Sequence, residues 1–163
     1  MEEATVVYGR AARRASIALH RFGVCPGDVV DIEAALRRER VIVDRWPLGE
    51  AISGLFLRED EPVIAVNANH HSNRQRFTMA HEYYHYLYHR SLDHLICLTD
   101  LQDKRQCERE ANRFAACLLM PEDIVRRMLC RYDLETTAER MMVSVEALQW
   151  RLRELGILEG MIA

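Results

Sequence analysis

A chain of 163 residues, 49% hydrophobic and 29% charged, holds enough apolar material for one packed core and too much for a disordered tract. Seven glycines and 4 prolines exclude collagen-like and linker-dominated chains. A net charge of −3 and a pI near 6.2 argue against a dedicated nucleic-acid binder, whose footprint is basic.

The start of the chain, Met1-Glu2-Glu3-Ala4, is acidic and carries no apolar signal core. The longest apolar runs, 51–57 and 114–121, are too short to span a bilayer, so a cytoplasmic protein without membrane contact is expected. Ala11, Ala15, Ala18, Leu19 and Phe22 have helical spacing and predict a helix over 8–22 that ends at Gly23. Pro26-Gly27 turns the chain into a second predicted helix, 28–40. Three β-like runs follow at 41–43, 52–57 and 63–66, separated by turns at 47–49 and 59–62, and predict a small antiparallel sheet. A helix over 72–89 comes next, with Ser72 and Gln75 spaced as a capping box. Another helix is predicted over 101–120, stopped by Pro121, and shorter ones at 124–130, 134–141 and 145–155. Ser144 is placed to cap the last of these and Gly156 to end it. The five cysteines, Cys25, Cys97, Cys107, Cys117 and Cys130, form no C-x-x-C, so neither a disulfide framework nor a thiolate zinc site is indicated.

Six of the 7 histidines lie between His70 and His94. Within that cluster, His81-Glu82-Tyr83-Tyr84-His85 is an H-E-x-x-H sequence in a predicted helix. Residues four apart share a helix face about 6 Å apart along the axis, so two imidazoles can converge on one zinc ion. Glu82 is turned about 100° from His81, which suits a general base beside the metal rather than a ligand. A catalytic zinc needs a third protein ligand. His89 lies about 12 Å beyond His81 on a continuous helix, too far to serve, and like His94 it reads as a surface or structural residue. The 101–120 helix offers a carboxylate: Glu108 and Glu110 flank its apolar face on opposite sides, and periodicity does not choose between them.

Arg76-Phe77-Thr78-Met79-Ala80-His81-Glu82-Tyr83-Tyr84-His85, followed by Glu110-Ala111-Asn112-Arg113-Phe114-Ala115-Ala116-Cys117-Leu118-Leu119-Met120-Pro121, resembles the ImmA/IrrE metallopeptidases. The resemblance covers residues 74–121 strongly and the flanks loosely. It implies a gluzincin-like α+β fold: a small antiparallel sheet on a zincin-like active-site helix, with following helices and a helical C-terminal part. It also implies zinc held by His81, His85 and the glutamate of the E-A-N element, Glu110, with Glu82 as general base. Further implied is a protein substrate, a helix-turn-helix repressor whose cleavage derepresses stress-response or mobile-element genes. The fourth motif position usually favours Gly; here it is Tyr84, whose ring must find room against a neighbouring element. Asn112 is a candidate partner for a ligand, and His70, His71 and the tyrosines of 83–88 are candidate oxyanion donors. In such folds the strand before the active helix, here 63–67, forms the cleft edge, to which an extended substrate adds as a further strand.

The expected division is a peptidase core over 1–121 and a helical subdomain over 122–163. Residues 136–158 resemble a helix-turn-helix at low resolution, which would place Gln149, Arg151 and Arg153 near DNA. Acidic residues balance these arginines, so direct DNA binding is the weaker reading. The alternative to a peptidase is a zinc-binding regulator that holds a repressor or DNA without cutting. Glu82 favours the enzyme, because binding alone needs no base beside the metal.

Overall fold

The computed structural model describes residues 2–24, 29–57, 60–88 and 101–158, with side chains from residue 9 and, in the helix that begins at Leu101, from residue 106. His89, His94, Cys25 and Cys97 lie outside the described residues. The elements run α1 (Glu2–Phe22), α2 (Ile32–Arg38), β1 (Ile42–Trp46), β2 (Gly54–Leu57), β3 (Val63–Asn67), α3 (Ser72–Tyr88), α4 (Leu101–Leu119), α5 (Glu122–Leu129), α6 (Leu134–Met141) and α7 (Val145–Glu154). The fold is α+β with a helical C-terminal part, as expected. No helix among the described residues is long and apolar enough to cross a membrane.

The sheet departs from expectation. Its order is β1-β3-β2, and it is mixed: β1 runs parallel to β3 with Ile42 opposite Val63, while β2 runs antiparallel to β3 with Gly54 opposite Val66. Three short runs separated by turns read as a small antiparallel sheet, but the 47–53 connection carries β2 to the far side of β3. Asn67, fully buried at the end of β3, holds that connection: its Nδ2 donates to the carbonyls of Leu48 (3.2 Å), Gly49 (3.1 Å) and Ile52 (2.8 Å). The strand before α3 is therefore the middle strand, and among the described residues the sheet edges are β1 and β2.

The two edges differ. On β1 the Asp44 carboxylate accepts from the Arg45 backbone N–H (2.8 Å) and from the Trp46 indole (2.7 Å), and Arg45 reaches Glu33 (2.6 Å). A charged, self-capped edge of this kind resists strand addition. β2 instead packs on α3, with Phe56 edge-on to Tyr86 at 5.6 Å. Its approach requires Gly54: a Cβ there would stand 2.5 Å from Thr78 Cγ2 and 2.7 Å from the Ala65 carbonyl.

One apolar cluster runs from Ala11, Ala15 and Ala18 of α1 through Ile64 and Val66 of β3 to Phe114 and Leu118 of α4 and Leu148 and Leu152 of α7. It thus includes residues on both sides of the expected boundary at 121. Arg76, near the start of α3, is buried and donates to the carbonyls of Met141 (2.6 Å), Met142 (3.1 Å) and Val30. Burial lowers its pKa, yet the carbonyls use its donors and tie α3 to the α6–α7 turn.

Asp133 and Ser144 cap α6 and α7, and left-handed Met142 (φ 52°) makes the turn between them. The helix–turn–helix outline is present, but Arg151 does not face outward. It is 3% exposed, donates to the Met120 carbonyl (3.1 Å) and pairs with Glu154. One of the three side chains that the DNA-binding reading needs is thereby turned into the core.

Candidate metal centre

α3 starts one residue before the expected cap takes effect. The His71 ring Nδ1 accepts from the Asn73 N–H (3.2 Å), and the Gln75 amide donates back to the His70 carbonyl (2.8 Å) rather than closing a box with Ser72. His70 Nε2 lies 3.2 Å from the Glu50 carbonyl. Both histidines, candidates for oxyanion contacts, are thus engaged at the start of α3, about 15 Å along the helix from His81.

Ala80, Tyr83 and Tyr84 are buried, whereas His81, Glu82 and His85 are half-buried at the border of that apolar face. Being one turn apart, His81 and His85 bring their Nε2 atoms to 3.1 Å. From α4, Glu108 places Oε2 3.2 Å from His81 Nε2 and Oε1 3.6 Å from His85 Nε2. A tetrahedral zinc with bonds of about 2.0–2.1 Å has ligand–ligand edges of about 3.3 Å, so these three separations fit one ion. His81, His85 and Glu108 are also the one group of three such donors lying within 4.8 Å of one another among the described residues. The histidine side chains are 15% and 17% exposed and that of Glu108 is 46% exposed, which leaves the centre open on the Glu108 side.

Asn112, one turn beyond Glu108, places Oδ1 2.9 Å from His81 Nδ1. With that carbonyl oxygen as acceptor, Nδ1 carries the proton and the Nε2 lone pair points to the centre. Burial works against a charged His81, but Glu108, Glu82 and Asn112 outweigh it and raise its pKa. Glu82 is pushed up to about 7, first by burial, then by the Glu108 charge, against the pull of His81. Its carboxyl therefore sits within electrostatic reach of His81 and Glu108.

Glu110 is not brought to the histidines. Two residues after Glu108, it points about 200° further round the helix. Its carboxylate, 7% exposed, accepts from Arg10 (3.2 Å), Arg14 (3.0 Å) and the Tyr84 hydroxyl (2.5 Å). Tyr84 finds its room here: it is 1% exposed, with its ring 5.3 Å from Phe114 and 5.0 Å from Tyr88. Arg10 and Arg14 escaped sequence reasoning. Their only signal was a pair four residues apart on α1, next to its alanine stripe. Of the other tyrosines, Tyr83 is fully buried and Tyr86 packs on Phe56.

Two histidines on one helix, a carboxylate facing them from the next and a glutamate between the histidines make up the donor layout of a metallopeptidase. The family model for the IrrE N-terminal-like domain, Peptidase_M78, matches residues 44–153, and the chain belongs to that peptidase family. No curated protein is matched by the chain.

Proposed function

We propose that the protein is a zinc-dependent metallo-endopeptidase in which His81, His85 and Glu108 hold the ion and Glu82 is the general base. The convergence of the two Nε2 atoms and the Glu108 carboxylate carries this reading. Bound there, the ion would supply a Lewis acid that polarises the scissile carbonyl and makes a nearby water acidic. Asn112 keeps His81 in the ligating tautomer. Glu82 takes a proton from the attacking water and returns it to the leaving amine. An extended substrate would lie along β2, the edge strand packed on α3, because the β1 edge is blocked by its own charges. The substrate we propose is a helix-turn-helix repressor, a reading that rests on the resemblance in the two sequence motifs.

The test is Glu82→Gln with a candidate repressor. The variant should retain about one metal ion per chain and lose about 10²–10⁴-fold in cleavage rate. Normal cleavage by the variant would remove Glu82 from its role. An intact, chelator-insensitive complex formed by the wild-type protein would return the non-cleaving regulator.

A further inference from the structure

We infer that Arg14, Glu110 and Tyr84 form a positioning triad that sets the register of α4 against α3 and so holds Glu108 at the histidine pair. The inference rests on the reading that His81, His85 and Glu108 are the ligands.

Each member of the contact between the two helices is a near neighbour of a ligand. Tyr84 immediately precedes His85, and Glu110 is two residues from Glu108. The 2.5 Å bond from the Tyr84 hydroxyl to Glu110 Oε2 therefore joins the same turns of α3 and α4 that carry the metal donors. Both oxygens of Glu110 are occupied, Oε1 by Arg10 and Oε2 by Arg14 and Tyr84. A buried carboxylate is tolerated only with such partners. Were α4 to turn or slide by one residue, this charge would lose them at the moment Glu108 left the histidines. The two faces of the helix are thus locked together.

Arg14 is itself held. Its guanidinium carbon stands 4.0 Å from the Tyr88 ring centroid and 5.4 Å from that of Tyr84, and it also donates to the Tyr84 hydroxyl. α1, which supplies it, lies outside the segment matched by the family model and packs along α4. The fourth motif position holds Tyr where Gly is usual, and this side chain reaches Glu110. A helix outside the matched segment has thus become part of the scaffold of the metal centre.

The test uses the full chain loaded with Co²⁺, whose visible absorption reports the ligand set, together with competition against a chromogenic chelator. Glu110→Gln and Tyr84→Phe should keep one equivalent of Co²⁺ and the wild-type band shape. Affinity should fall about ten-fold for Glu110→Gln, within the range seen for groups that orient ligands. Tyr84→Phe should lose less, and the double variant no more than Glu110→Gln alone, because the two act as one unit. Melting of the metal-free Tyr84→Phe protein is measured in parallel. A lowered melting temperature with unchanged affinity would mean a merely structural role and would overturn the inference, as would wild-type affinity in both variants. Glu108→Ala is the control for the underlying reading. If it keeps the Co²⁺ spectrum while Glu110→Gln abolishes it, the ligand assignment itself fails. If it abolishes the spectrum while the triad variants bind normally, only the positioning inference falls.

Discussion

Glu108 and Glu110 stand two residues apart on one helix, yet they differ in exposure and in partners. Glu108 is half-exposed and meets two imidazole nitrogens; Glu110 is buried and meets two guanidinium groups and a phenol. The same residue type on the same element is placed to hold an ion on one face and to hold the fold on the other. A half-exposed carboxylate facing two imidazole nitrogens is placed to take a metal, whereas one buried and already neutralised by arginine is not. The difference lies in what the neighbouring helices present: α3 brings two imidazoles to Glu108, whereas α1 brings two arginines to Glu110 beside the Tyr84 hydroxyl of α3.

That contrast can be broken at several points. Glu108→Ala should have the largest effect. Metal content should fall well below one ion per chain and cleavage to background, with unfolding of the metal-free protein little changed; metal analysis and urea titration check both. Glu110→Ala should act mainly on the fold, with one ion still bound at about ten-fold lower affinity. Loss of its carboxylate takes from Arg14 and Tyr84 an acceptor they share, and the fold should weaken by about 3–5 kcal/mol in the same titration. Asn112→Ala should leave stability nearly unchanged but weaken metal binding about 10–100-fold in chelator competition, because His81 loses the group that sets its tautomer. Arg10→Ala should cost least. Its side chain is 49% exposed and Glu110 keeps Arg14, so a loss of about 0–1 kcal/mol is expected.

Much of this architecture could be read from spacing alone. The alanine stripe of α1, the apolar arc of α3, Pro121 after α4, and the Ser144 cap all mark the elements where the structure has them. Strand order could not be read, since nothing in three short apolar runs says that the 47–53 connection passes β3. That depends on Asn67 collecting three carbonyls from a segment 15 to 19 residues away. The HTH-like outline of α6 and α7 was legible from Ser144 and the helical spacing. The inward turn of Arg151 was not, because an arginine on a helix reads as exposed until a buried carbonyl, here that of Met120, is found to accept it.

The sequence by itself determined the pairing of His81 with His85 and the placing of Glu82 beside them, because helical geometry relates residues four apart whatever surrounds them. It also determined the family, through the two motifs that the family model spans. Only the tertiary structure decided which glutamate of α4 meets the histidines. Both flank the apolar face of that helix, and choosing between them requires the angle at which α4 crosses α3 and the arginines that α1 brings to the opposite side. These are contacts between residues up to 100 positions apart, and no local periodicity encodes them.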